Sequence, residues 1–372
     1  IDSKVINIAI YLEENHIMKR KSVLIIVVSL LVATILVIGF YVEQSFKSET
    51  QVPTQSDSKS RKEYKSLTPK QKVEYKIKHL GLKNYSVLII KNNKIWISDS
   101  KGNEDTSEYL INSVQKLMTA ALIAKEAQNG KLQLSDKIGK WYPKMIGGNQ
   151  VTVRNLISMT SGLATFENNI LTEPYSSDQS DLNKHVSNTY LINTSLNKWH
   201  YNSLNYIYLS GILEKVESSS YEKIFRKYYI QPLKLKHTNF YWDEIESKDF
   251  LLGNEYSRMN RKFAPVNVKK ASVAAHHMMG AGSVTMSNLD LATTLRYILS
   301  KRMLNERSKV DLYKVTKKGG YNGGFYNYGT YKSANGTGLG YYTFLRTDNT
   351  GKNIVIIQSN YTKRGKFRHY KR

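Results

Sequence analysis

The chain has no cysteine among its 372 residues. That single absence excludes disulfides, a thiolate nucleophile and a cysteine-ligated zinc. The eight histidines show no His-Glu-x-x-His or similar ligand spacing, so no metal site and no cofactor is expected. Acidic residues are scarce as well: 30 Asp and Glu face 55 Lys and Arg, a formal net charge of +25. Such an excess predicts attraction to a polyanion, whether nucleic acid, anionic lipid or the phosphate-rich polymers of a bacterial wall.

Charge of either sign is missing from residues 23–42, "VLIIVVSLLVATILVIGFYV". Twenty such residues can cross a bilayer core of roughly 30 Å. "MKRK" stands just before them, so the positive-inside rule puts residues 1–22 in the cytoplasm and the rest outside. No small-x-small cleavage site follows, which predicts an uncleaved single-pass signal anchor. Residues 1–17 precede Met18 and are read as lying upstream of the true start. Residues 43–75 are polar, with too few apolar residues to fold alone, and read as an extracellular spacer. The globular part is expected over 76–372, ending in the basic tail "KRGKFRHYKR".

Within that part, "YSVLIIKNNKIWISDS" reads as two strands joined by a hairpin at "KNNK". Helical periodicity dominates the middle, in "TVRNLISM", "SLNYIYLSGILEKVE", "YEKIFRKYYI" and "LDLATTLRYILSKRM". Strands return in "YYTFLRTDNTGKNIVIIQSN". The expected fold is therefore α/β of the α+β kind. One antiparallel sheet is built from N- and C-terminal strands and flanked by helices, with a mostly helical lobe inserted between them. A cleft between the two lobes is a natural ligand site.

"NSVQK" places Ser113 and Lys116 three residues apart, ahead of an apolar-periodic run. On a helix these side chains share a face, and a serine needs a neighbouring base to become a nucleophile. A lysine can be that base only where burial or another cation lowers its pKa. Ser-x-x-Lys also begins at Ser56, Ser98, Ser195 and Ser220, so the spacing alone does not single out Ser113. Two later stretches supply partners: Tyr201 and Ser203 before a helix, and Lys332 and Ser333 entering a strand.

In this order the three stretches resemble the serine β-lactamase and penicillin-binding-protein superfamily, in its class C and esterase-like branch. There Ser-x-x-Lys is followed by Tyr-x-Asn and Lys-Thr-Gly. "VTVRNLISMTSGL", "YNSLNYIYLSGILEKV", "PLKLKHTNF" and "GAGSVTMSNLDLA" carry the likeness over roughly residues 80–360. "NSVQK" and "YNS" look most like membrane-anchored FmtA-type D-alanyl esterases of teichoic acid. The resemblance implies Ser113 as acylated nucleophile, Lys116 as its base and Tyr201 as proton shuttle. It also implies Lys332 as the cation for a substrate carboxylate or phosphate, with Ser203 and Ser333 as further substrate contacts. The oxyanion hole would be the Ser113 N–H and one near Asn335 or Gly336.

Three positions depart from the pattern. Ser203 stands for the usual Asn, Ala334 for the glycine of Lys-Thr-Gly, and Met159 for a common histidine, at a position read as packing. His200 reads as structural, and His276 or His277 as lobe packing with a possible place in the cleft. The expected partner is a cell-wall polymer, teichoic acid or peptidoglycan stem peptide, at a Gram-positive-type surface. Nucleic acid is excluded by the outward topology and by the lack of any recognition motif. The alternatives are a low-affinity penicillin-binding protein, D-Ala-D-Ala carboxypeptidase or weak β-lactamase, and a non-catalytic wall-binding protein of the same fold.

Overall fold

The computed structural model describes residues 64–166, 174–243, 249–257 and 259–362. The expected anchor at 23–42, the stretch before it and the basic tail lie outside these residues. Among the described residues no helix is long and apolar enough to cross a membrane. A compact unit begins at Glu74. A first helix, Pro69–Lys78, runs across the start expected at 76, with Ile77 buried.

Seven strands form the main antiparallel sheet: β1 (Tyr85–Lys91), β2 (Lys94–Lys101), β3 (Gly320–Asn322), β4 (Phe325–Asn327), β5 (Tyr331–Gly338), β6 (Tyr341–Asp348) and β7 (Ile354–Ser359). Their spatial order is β3-β4-β5-β6-β7-β1-β2. The expected closure of the sheet by the two chain ends is present, with β1 pairing β7 from Ser86 opposite Gln358 to Ile90 opposite Ile354. The "KNNK" hairpin holds as well. Asn92 and Asn93 both take positive φ, 52° and 66°, the backbone that a tight two-residue hairpin requires and asparagine tolerates.

Strand β1 is apolar at nearly every position and buried along most of its length, because elements cover both faces of the sheet there. Helices α1 (Lys116–Gln128) and α2 (Leu204–Glu217) pack on each other, and α3 (Asn288–Leu299) lies against β1 and β7. From Leu117 to Ala124 α1 is buried all round, as a helix through the middle of a core must be. Helix α3 starts at a Ser287 cap whose Oγ accepts from the Asp290 N–H at 3.3 Å. Its Asn288 donates to Ser86 Oγ at 2.5 Å, tying the helix to β1. The long interval between β2 and β3 holds most of the helices, and β5 packs against the turn that leads into α1.

Candidate active site

Strand Tyr109–Leu110 leads into a 3₁₀ turn, Asn112–Gln115, and α1 follows without a break. The chain turns at Asn112, whose φ of 49° is left-handed. Its side chain holds that shape by donating to the carbonyls of Leu110 and Gly338, each at 3.2 Å. Gln115 Oε1 accepts from the N–H groups of Ser283, at 2.5 Å, and Val284, at 3.1 Å. The loop before Val284 is thereby clamped against the start of α1.

Lys116 opens α1 and is 0% exposed. Its Nζ lies 2.9 Å from Ser113 Oγ and donates to the carbonyl of Ala281, also at 2.9 Å. Burial brings its pKa down to about 7, because a buried ammonium loses its water shell. Tyr201 stands over the same amine, its ring centroid 5.4 Å from Nζ. Burial pushes the Tyr201 hydroxyl up to about 12, against the opposing pull of a hydrogen bond with Ser113. At neutral pH the tyrosine therefore keeps its proton, while the lysine gives up its own far more readily than an exposed lysine does.

Tyr201 is fixed by its neighbours. The carbonyl of Met159 accepts from the His200 N–H at 2.9 Å, and its sulfur from the Asn202 N–H at 3.4 Å. The Asn202 side chain donates to the carbonyl of Leu163 at 3.0 Å. Met159 is thus the packing residue it was expected to be, and His200 is exposed.

A cavity of about 380 Å³ opens on Ser113. Tyr201 and Ser203 line one side and Ala334, Asn335 and Thr337, from β5, another. Tyr321, Gly324, Tyr326 and Met278 complete its walls, with Asn112 beside Ser113. Gly336 closes the gap to the nucleophile. A Cβ there would stand 2.1 Å from the carbonyl oxygen of Ile111 and 3.0 Å from the Ser113 nitrogen. Only glycine lets β5 come this close, and the closeness sets strand backbone beside the Ser113 N–H as an oxyanion site needs.

Lys332 is not where it was expected. It does not line the cavity; its Nζ donates to Asn349 and lies 5.1 Å from the Tyr313 ring centroid. The reason is register. Lys332, Ala334 and Gly336 share one face of β5, and four residues of strand separate the lysine from Gly336 by roughly 13 Å. The glycine of the third box is therefore Gly336 rather than the position of Ala334, and Ala334 occupies the place assigned to the cation. Ser333 pairs with Tyr326 across the ladder and also stays out of the cavity.

Of the two histidines, neither lines the cavity. His277 is buried, its Nδ1 2.5 Å from Asp181 Oδ1, and His276 stacks between Tyr175 and Trp242. Gln115, Ala281, Tyr321 and Tyr326 escaped the sequence reading. The glycine-paired hairpin "YNGGFYN" was the available signal for the two tyrosines. A larger groove of about 950 Å³ runs between Gln128, Arg154 and Asp311. It holds an Arg154–Asp311 ion pair and no serine–base pair like that at Ser113, so volume does not decide the site. Among the described residues no cluster of His, Asp and Glu could hold a metal ion.

The geometry is that of acyl transfer, and the sequence agrees: residues 70–372 match the family described as Beta-lactamase. The chain belongs to that family. Among curated relatives, the Putative penicillin-binding protein PbpX of Bacillus subtilis is 24% identical, covering 83% of this chain and 78% of its own length. The Teichoic acid D-alanine hydrolase of Staphylococcus aureus is 26% identical, covering 82% of this chain and 77% of its own. The crystal structure of FmtA from Staphylococcus aureus has the same fold, with a TM-score of 0.69 at 23% identity over 81% of this chain and 84% of that one. So has D-amino acid amidase from Ochrobactrum anthropi, with a TM-score of 0.65 at 16% identity over 79% of this chain and 90% of that one. The β-lactamase and penicillin-binding-protein superfamily is one of serine hydrolases, and the α/β architecture with its antiparallel sheet is the one this family shares.

Proposed function

We propose that the protein is an acyl-enzyme-forming hydrolase that removes D-alanyl esters from teichoic acid. In this reading residues 23–42 anchor it in the cell membrane and the folded unit faces the wall. The observation that carries the chemistry is the buried Lys116 amine 2.9 Å from Ser113 Oγ. Unprotonated, that amine takes the Ser113 proton as Oγ attacks the ester carbonyl. Charge developing on the carbonyl oxygen meets the Ser113 N–H and the adjacent β5 backbone. Tyr201 gives its proton to the departing polymer alkoxide and is reprotonated by the Lys116 ammonium. The same groups, run in reverse, activate water to release D-alanine and restore Ser113.

Two features favour an ester of a wall polymer. An alkoxide leaving group asks less of the second box than an amine does, which suits the short hydroxyl of Ser203 in the cavity wall. The charge of +25 suits a phosphate-rich polymer, and the staphylococcal relative is named for teichoic acid D-alanine.

The test is direct. The purified chain is offered D-alanylated teichoic acid, a D-Ala-D-Ala stem peptide and a labelled penicillin, with Ser113→Ala in parallel. Alanine release that depends on Ser113 is the expected result. Stem-peptide cleavage or penicillin labelling without ester turnover would shift the reading to a penicillin-binding protein. A folded protein that is neither acylated nor active would make it a wall-binding relative.

A further inference from the structure

The cavity beside Ser113 has an unusual chemical make-up. Among the described residues that line it there is no Asp, Glu, Arg, Lys or His. Its polar side chains, Ser203, Asn335 and Thr337 among them, are all neutral. Three of its walls are tyrosines in an edge-to-face chain: Tyr201 and Tyr321 at 5.8 Å and 80°, then Tyr321 and Tyr326 at 5.2 Å and 74°. Trp199, half-exposed, continues the chain against Tyr326 at 6.5 Å. The strand cation that could hold a carboxylate is turned onto Asn349.

Such a lining repays one kind of ligand charge. Apart from Lys116, which is buried behind Ser113 and held by it and the Ala281 carbonyl, a carboxylate entering it finds no cation, and it meets aromatic rings, whose faces are electron-rich. An ammonium is drawn to those faces, and hydroxyl and amide oxygens offer it acceptors. In the ester of an amino acid the carboxyl is tied up and uncharged, while the free α-amine is protonated. That amine sits on the carbon next to the carbonyl Ser113 would attack, so it must lodge inside this cavity when the carbonyl is in place.

We propose that the aromatic wall built by Tyr321 and Tyr326 is a recognition subsite for the protonated α-amine of an aminoacyl ester. It selects acyl groups that carry a free amine and disfavours those that present a carboxylate there. The proposal rests on the ester-hydrolase reading for its reaction, but the subsite can be measured without turnover.

Two experiments separate the subsite from the reaction. In the first, D-alanyl, N-acetyl-D-alanyl and propionyl esters of one alcohol are compared by kcat/KM, each divided by its hydroxide-catalysed rate. The D-alanyl ester is expected to lead both neutral esters by roughly tenfold, the size of a partly desolvated cation–π contact. Tyr326→Leu should bring that ratio close to one, and Tyr326→Phe, which keeps the ring face, should preserve it. Equal corrected rates, or a ratio unmoved by Tyr326→Leu in a protein with wild-type circular dichroism, would overturn the subsite while leaving the hydrolase reading intact. In the second, D-alaninamide and N-acetyl-D-alaninamide are titrated by NMR into Ser113→Ala. Tighter binding of the cationic amide, lost in Ser113→Ala combined with Tyr326→Leu, supports the subsite even if no ester is turned over. Equal affinities count against it in either case.

Discussion

At the scale of single residues the molecule turns on Lys116, whose first duty conflicts with its surroundings. A lysine with no exposed surface is poised near pH 7 by burial, and it is the unprotonated form that can accept from Ser113. The rate constant for ester cleavage should therefore rise through pH 7 as a single ionisation and level off above it. Tyr201, pushed up to about 12, keeps its proton throughout the accessible range, so no descending limb is expected below about pH 10. A pH profile of kcat/KM on a small ester without an amine, such as the propionyl ester, checks both limbs, since a substrate amine would titrate in the same range; a midpoint near the ordinary lysine range would remove Lys116 from the role. The same burial has a cost to folding. The folded pKa lies below the unfolded value of about 10.4, so between pH 7 and 10 the unfolded chain holds the extra proton and stability rises with pH. Replacing Lys116 by Met removes that burden but leaves the carbonyl of Ala281 without its donor. Lys116→Met should thus be inactive yet more stable than the parent at pH 7, by about 1–3 kcal/mol. The advantage should shrink toward pH 10, as read from urea unfolding at the two pH values.

At the scale of elements, β5 decides how the site is assembled. A Cβ on Gly336 would meet backbone, the carbonyl of Ile111 at 2.1 Å, and backbone cannot swing aside. Gly336→Ala should push the strand off the nucleophile's turn, costing on the order of 100-fold in kcat/KM through the disturbed oxyanion site and lowering the melting temperature. Lys332→Met, by contrast, should leave kcat/KM within about a factor of two, since the amine is turned away from the cavity onto Asn349 and Tyr313. A large loss of activity in Lys332→Met would restore the lysine to the site. These two residues also show where the sequence stopped being informative. Helical spacing told which side chains of "NSVQK" could meet, but with five Ser-x-x-Lys stretches in the chain it took the later stretches, in order, to single this one out. The third box was misplaced by two residues because strand positions two apart share a face, and the lysine drew attention from the glycine. What sets the register is a close approach between β5 and the turn at Asn112, a long-range contact with no local signature. The hairpin carrying Tyr321 and Tyr326 was missed for a related reason. Gly324 sits there at φ 82°, and a Cβ on it would lie 2.4 Å from the Leu117 backbone. The glycine pair therefore marks a contact with α1 rather than a loose loop.

At the scale of the whole molecule, closure of one sheet by strands from early and late in the chain was readable, since β-rich runs stood toward both ends and helical periodicity dominated between them. Charge is the other property of this scale, and it makes its own prediction. Some of the acids are already paired, Asp181 with His277 inside the fold and, nearer the surface, Glu217 with Lys131 and Lys227 and Asp243 with Arg226. The chain as a whole keeps a formal excess of +25, and exposed lysines and arginines of the folded unit carry much of the basic character. Such a surface should concentrate a polyphosphate chain around the enzyme but do nothing for a small ester, because the cavity itself carries no charged lining. Between 50 and 200 mM salt the screening length falls through roughly 10 Å, which weakens the many distant contacts of a polymer more than the few short ones of a small molecule. KM for D-alanylated teichoic acid should therefore rise by about tenfold or more over that range. KM for a D-alanyl ester of a simple alcohol should move by less than about twofold. Measuring both on one preparation isolates the polymer term. Parallel shifts would mean that the salt acts on the site near Ser113, and the basic surface would then have no part in holding the substrate.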